Sequence, residues 1–403
     1  MIPAIANPHT VRSLARLSIL CASILLSAPA RISGHARSAE AASGVGSAAV
    51  VAEAVTEDAT SSNNEVKMVR DPAVGLVVAY VENAGGTAQV VLAASRDQGR
   101  RWSLLARASG GAVPSRLPAL ALDRIGRLHV IWTRYDDGVG KIYYRAWQGG
   151  WAAPQARISP APGYAGFPSL ALDERGHPQV VWYGIRGASQ PASTRHGSIY
   201  EIFYTGFDGR AWSPPRLVST GLPDSVNPAL AADRTGRLRA SWYQSDGRVY
   251  QVRYAERTAA WGEPETVLAT RSDAFNPDIA VDPEGQAALT WEQHDGLASA
   301  IRFTRRVGGR WEDPAVLSDG RLPAHHPSVS VAPSGVICVA WDRDDGEILV
   351  RRFDGRWEPA VRAAVDEGNS FPSVLASDQG ADVIWTHTAQ GRSQVRYVRL
   401  GAR

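Results

Sequence analysis

The chain has 403 residues, 8% aromatic side chains and 13 tryptophans, and a formal net charge of only +3. That length can fill one large core or two small ones. So small a net charge, with arginines dispersed among Asp and Glu, excludes strong electrostatic attraction to nucleic acid or to an anionic membrane.

The first segment reads as a targeting signal. Arg12 and Arg16 precede the apolar run Leu17–Ala30, and Ala28-Pro29-Ala30 supplies a small-x-small cleavage site. The run is too short and too weakly flanked to span a bilayer, with an uncleaved anchor as the other reading. Residues 1–30 are therefore assigned to a signal peptide, and export to the periplasm or the medium follows. Removal of that segment leaves Cys338 as the one cysteine, so no internal disulfide is expected. Its setting, GVICVAW, makes it a buried core thiol. Residues 31–63, rich in Ala, Ser and Gly, read as a linker. Within it, SAAVVAEAV (47–55) has the makings of a strand.

From residue 64 onward the chain repeats itself. RLPALALDRIGRLHVIW (116–132) returns as GFPSLALDERGHPQVVW (166–182), VNPALAADRTGRLRASW (226–242), FNPDIAVDPEGQAALTW (275–291), HHPSVSVAPSGVICVAW (325–341) and, one residue shorter, SFPSVLASDQGADVIW (370–385). Asp71 to Tyr80 keeps the spacing of Asp123 to Trp132, which makes residues 66–80 a worn first copy and the count seven. Each unit continues with an alternating segment such as KIYYRAW, a glycine-bearing turn near a tryptophan (Trp102, Trp151, Trp212, Trp261, Trp311, Trp357), and a short run with proline and branched residues. Period-two alternation is strand periodicity. Four short strands recurring about every fifty residues are the blades of a propeller. The fold class expected is thus all-β: a seven-bladed β-propeller of four-stranded antiparallel blades over 64–403. Strands are named A to D from the start of each unit. The last unit stops after strand C, at VRYVRLGAR, and an open sheet edge invites aggregation. SAAVVAEAV is the natural donor of the missing strand and closes the ring.

In SRDQGRRW (95–102) the carboxylate of Asp97 can accept the turn's own amides, Gly99 permits the bend and Trp102 anchors it. This pattern, Ser95-x-Asp97-x-Gly99-x-x-Trp102, resembles the Asp-box, the bacterial neuraminidase repeat of the sialidase superfamily; FDGRAW (207–212), FDGRW (353–357), VGGRW (307–311) and QGGW (148–151) keep pieces of it. The resemblance implies a sialidase-like propeller with its site on the face away from these turns. It also implies that Arg116, in the Arg-Leu-Pro that stands near the family's Arg-Ile-Pro motif, binds a substrate carboxylate. Asp136, in TRYDDG, is then the candidate acid/base; a plain turn is the other reading of that stretch.

Strand alternation leads to the same face, because B–C connections and strand A entries share it and vary from copy to copy. Arg116, Arg134, Tyr183, Glu292, His294, His325 and His326 gather there as candidate substrate-binding residues, and an insertion at 183–198 is a candidate lid. This mixture of acids, bases and aromatics suits a sugar. His325 and His326 are neighbours in an extended strand and point opposite ways, so both do not serve one ion. A metal shared with Glu292 and His294 is conceivable, but no metal and no cofactor is assigned. The reading is an exported protein that binds, or as an exo-sialidase-like glycosidase hydrolyses, a glycan or glycoconjugate. The alternative is a non-catalytic scaffold for an envelope protein. A monomer is expected, with no nucleic-acid partner and no membrane span after cleavage.

Overall fold

The repeated Asp-x-x-Gly turns bring each strand back beside the one before it, and the whole chain follows from that local step. The computed structural model describes residues 48–61, 65–160, 163–185, 200–219, 224–296 and 298–402; residues 1–30, read above as a signal peptide, and most of the 183–198 insertion lie outside them. All the regular elements described are strands, arranged in seven antiparallel sheets. In blades 1 to 7, strand A runs Met68–Asp71, Ser115–Leu122, Ala165–Leu172, Ser225–Ala232, Ala274–Val281, Ala324–Val331 and Asn369–Ser377. Strand B runs Gly75–Ala84, Leu128–Asp136, Pro178–Gly184, Leu238–Ser245, Ala287–Asp295, Ile337–Arg343 and Gly380–Ala389. Strand C runs Thr87–Ser95, Val139–Trp147, Glu201–Gly206, Tyr250–Arg257, Ala298–Val307, Ile348–Phe353 and Arg392–Gly401. Strand D is short, two residues long in blades 2 to 4. Among the described residues no helix is long and apolar enough to cross a membrane.

The A–B turns carry the expected chemistry. Asp123 Oδ1 accepts the amides of Ile125 and Arg127 at 3.0 and 2.8 Å, and Asp173 and Asp233 do the same one and two blades on. Blade 6 has Ala332 there, and its turn closes on the backbone bond from Gly335 N to Ala332 O, 2.9 Å.

Two sets of tryptophans bind blade to blade. Trp132, Trp182, Trp242, Trp291, Trp341 and Trp385 on strand B are fully buried, each in a cluster shared with a neighbouring blade. The tryptophans of the C–D turns stand edge-on to a strand C aromatic of the preceding blade: Trp212 on Tyr144, Trp261 on Tyr204, Trp311 on Tyr254 and Trp357 on Phe303, with centroids 4.8–5.5 Å apart. Such pairs add to the burial of area. Strand A backbones are stitched as well. Leu230 N donates to Ser169 Oγ at 3.0 Å, Val329 N to Asp278 Oδ2 at 2.8 Å and Val374 N to Ser328 Oγ at 3.3 Å.

Blade 7 is completed from the other end of the chain. Ala49–Glu53 pairs antiparallel with Arg392–Gly401 as its fourth strand, with Ala49 opposite Tyr397 and Glu53 opposite Gln394. Val51 and Val55 enter the cluster between blades 7 and 1. In the same seam Trp102 meets Tyr397 at 5.3 Å, and Arg70 is ion-paired with the buried Asp382.

In SRDQGRRW, Asp97 Oδ1 accepts the Arg101 amide at 2.9 Å, Gly99 N donates to Ser95 Oγ at 2.8 Å and Trp102 Nε1 donates to Gly99 O at 3.0 Å. Gly99 has φ +87°, and a Cβ there would sit 1.9 Å from Tyr397 Cε1. The turn therefore also fits glycine to the ring-closing seam.

A chain that starts at Thr56 lacks the closing strand and bares the edge of Arg392–Gly401. It is expected to unfold at lower urea concentration than the longer chain and to form soluble aggregates on size exclusion, with a synthetic 47–55 peptide reversing both effects. Coincident urea curves would overturn this account of closure.

Candidate functional site

The prolines of the repeat have a consequence on the face opposite the A–B turns. In six blades the residue before the proline is in the left-handed region: Leu117, Phe167, Asn227, Asn276, His326 and Phe371, with φ from 49° to 58°. The strand pairing slips at each of these positions, as between Arg116 and Ala119 or between His325 and Ser328. A non-glycine residue held there costs about 1 kcal/mol or more and needs support from its surroundings. That support is the pairing on either side of the bulge, and the bulge re-aims one side chain per blade. Four of these positions meet in pairs across blade boundaries. Asn227 Nδ2 donates to Asn276 Oδ1 at 2.9 Å, and the His326 and Phe371 rings lie 4.4 Å apart.

Glu292 is the hub of the polar side. It is buried on strand B of blade 5. Its Oε1 accepts from Asn276 Nδ2 at 2.9 Å and from the His326 amide at 2.8 Å. Its Oε2 lies 3.2 Å from His294 Nε2 and 3.4 Å from His325 Nδ1. Burial alone would raise the carboxyl's pKa, but the bonds from His294 and His325 and the charge of His326 outweigh it and hold the group ionised. Burial lowers the pKa of His325, yet the bond to Glu292 and the charges of Glu292, Asp342 and Asp344 raise it to about 9. His326 turns instead to Asp342, with Nδ1 3.0 Å from Oδ1. The two adjacent histidines thus serve different carboxylates, with His326 re-aimed by the bulge at its left-handed backbone. Among the described residues Glu292, His294 and His325 form a group whose donor atoms lie within 4.8 Å of one another, an arrangement able to hold a metal ion.

On the other side of the mouth the surface is aromatic. Tyr183 stacks on Phe167 at 5.1 Å and meets Tyr200 and Tyr164 at 5.2 and 5.9 Å. Burial raises the Tyr183 phenol well above its ordinary pKa, so it is a neutral donor. Phe275 continues the belt between Tyr243 at 5.3 Å and His294 at 5.0 Å.

Arg116 and Asp136 are not brought together. Arg116 pairs across the sheet with Thr133, whereas Asp136 shares a face with Arg134. Adjacent residues of a strand alternate faces, so the two side chains leave blade 2 on opposite sides. Arg116 is ion-paired with Asp58, from the segment that follows the closing strand. Asp136 accepts from Tyr143 Oη at 2.7 Å and lies 2.8 Å from Arg134 Nε. Asp137 and Gly138, both at positive φ, make the B–C link a tight two-residue turn. The B–C connections vary in length, as expected: blades 1, 2 and 7 have two-residue links, at Gly85-Gly86, Asp137-Gly138 and Gln390-Gly391, whereas blades 4 and 6 have four-residue links at 246–249 and 344–347. The site is built from strand A entries and strand B ends.

Sequence reasoning missed Asp58, Asp344 and a buried group further in. Lys67 on blade 1, fully buried, is paired with Glu65 and donates to Pro118 O at 2.7 Å. Burial lowers its pKa, while Glu65, Asp278 and Asp58 act to raise it. The signal was present: Lys67 is one of two lysines in an arginine-rich chain. Asp278, beside the proline of blade 5, is pushed up to about 7 by burial, against the amides of Val329 and Ile279 that it accepts.

No protein-family model matches the sequence, and no curated protein is similar to it. Solved structures share the fold. An ulvan lyase of polysaccharide lyase family PL25, solved with -[GlcA(1-4)Rha3S]- bound, has a TM-score of 0.58 to this chain at 13% identity, covering 87% of this chain and 95% of that one. A protein of unknown function from Dyadobacter fermentans DSM 18053 gives 0.55 at 13% identity over 72% and 95%. The endosialidase of phage phi92 gives 0.51 at 10% identity over 88% and 69%. At these identities the likeness is one of fold.

A raised carboxyl pKa means that the folded state keeps a proton the unfolded state has released. Asp278 therefore lowers stability as pH climbs from about 4 to about 7, and contributes no further slope above that. Asp278→Asn, which keeps an acceptor for Val329 N, is expected to remove roughly 1 kcal/mol or more of that fall. Urea denaturation from pH 4 to 8 measures it; parallel pH profiles for the two proteins would count against the buried acid.

Proposed function

We propose that the protein is an exported glycan-binding β-propeller of Asp-box type, with its ligand lying across the mouth of the ring on the face of the B–C turns. The observation that carries this reading is the set of side chains delivered by the six left-handed positions. Around one mouth they form an apolar and aromatic arc (Phe371, Leu117, Phe167) and a polar arc of two amides and an imidazole (Asn227, Asn276, His326). A pyranose has an apolar face for the first kind and hydroxyl edges for the second. Tyr183, His294 and His325 extend the same mixture outward, and Arg116 supplies a cation at the rim. Recognition is favoured over exo-sialidase hydrolysis, because Arg116 is ion-paired with Asp58 and Asp136 leaves blade 2 on the other side. The ligand classes named for the ulvan lyase and the endosialidase are acidic polysaccharides, and they set the first compounds to try.

A glycan array probed with the exported chain, followed by calorimetry on the hits, is the test. Phe167→Ala and Tyr183→Ala are expected to weaken binding roughly tenfold or more, the equivalent of about 1.4 kcal/mol. Ile125→Ser, on the exposed A–B turn of blade 2, leaves affinity unchanged. An array without binders, or aromatic variants that bind as the wild type does, would end the glycan reading and favour an envelope protein as partner.

A further inference from the structure

We propose that Glu292, His294 and His325 form a three-ligand site for a divalent transition metal of the zinc class, with a fourth coordination position on the solvent side. The argument begins with distances. Zinc takes histidine nitrogen and carboxylate oxygen at about 2.0–2.2 Å, and in a tetrahedron of that size two ligand atoms stand about 3.3–3.5 Å apart. Glu292 Oε2 lies 3.2 Å from His294 Nε2 and 3.4 Å from His325 Nδ1, and all three atoms are within 4.8 Å of one another. Two imidazoles and one carboxylate are a ligand set that zinc uses where it keeps an open position.

The surroundings are those of a metal site. A ligating histidine ordinarily gives its other ring nitrogen to a carboxylate or carbonyl, which fixes the ring and its tautomer. His325 presents Nδ1 to the cluster and Nε2 to Asp344 Oδ1 at 3.1 Å. Glu292 is oriented in the same way. Its second oxygen is taken by Asn276 Nδ2 and the His326 amide, so Oε2 alone faces the imidazoles. Phe275 packs against the His294 ring at 5.0 Å and limits its rotation. Glu292 is buried at the base, whereas the imidazoles of His294 and His325 are 20% and 25% exposed, which leaves the remaining position to water or to an oxygen of a ligand. His326 is not part of the set, since its Nδ1 is engaged by Asp342.

The proposal stands apart from the glycan reading, and its experiment measures metal directly. The full exported chain is stripped with chelator and titrated with zinc chloride by calorimetry, with bound metal counted by mass spectrometry and cobalt(II) used as a spectroscopic stand-in. One zinc per chain is expected, together with intense visible bands from four-coordinate cobalt. The His294→Ala/His325→Ala double variant is expected to lose at least a hundredfold in affinity. Asp344→Asn, which touches no metal, should weaken binding about tenfold. The melting temperature of the metal-free proteins reports whether each variant is folded. Should the double variant fail to fold, the cobalt spectrum of the wild type and the Asp344→Asn titration still decide the matter. A wild-type chain that binds neither zinc nor cobalt at 100 times its own concentration overturns the proposal, as does a folded double variant that binds zinc as tightly as the wild type.

Discussion

The structure depends on one pairing, that of Ala49–Glu53 with Arg392–Gly401. Each of the other blades is built of strands consecutive in the chain, and none of them takes a strand from its far end. Without the pairing the outermost strand of blade 7 has free amides and carbonyls along its edge, and a free edge is a template for other chains. With it, Val51 and Val55 complete the apolar cluster between blades 7 and 1, and the segment that follows is drawn inward over the mouth. Thr60 then donates to Phe371 O at 2.9 Å, and Asp58 pairs with Arg116. Closure and the shape of the candidate site are thus one event. The chain that seals the ring also supplies the counter-ion of the arginine at its rim.

A second constraint is repeated around the ring. The strand A proline has no amide to give, and the residue before it takes a left-handed conformation in six blades. Six identical backbone devices carry six different side chains. The bulge supplies geometry and the residue supplies chemistry, which is how a symmetric scaffold comes to hold an asymmetric surface. The acidic and imidazole side of the mouth, around Glu292, faces solvent only in part, so its charges are paired at short range. The aromatic side, around Tyr183 and Phe167, carries no charge of its own.

Much of this was legible in the chain. The seven copies, the turn chemistry of Asp123 and its equivalents, the burial of Trp132 and its equivalents and the donor strand near 47–55 all follow from spacing and alternation, which are local properties. That Glu292, His294, His325 and His326 lie at the same end of their blades follows from the antiparallel direction of strands A and B. What the spacing did not show was partnership. Arg116 and Asp136 are close in sequence and on paired strands, yet the register of Arg116 opposite Thr133 puts them on opposite faces. The B–C connections vary in length, and that of blade 2 is a two-residue turn because Asp137 and Gly138 both adopt positive φ.

The sequence by itself determined the architecture: seven units, four strands each, and a ring closed by its own N-terminal strand, because periodicity and turn residues act over a few positions and repeat. The tertiary structure alone decided which polar groups meet. Lys67 at the start of the ring feels the charge of Asp278 four blades on, and His325 of blade 6 shares the carboxylate of Glu292 with His294 of blade 5. Those meetings arise from the curvature that brings distant strands A to a common axis, and no window of sequence contains it.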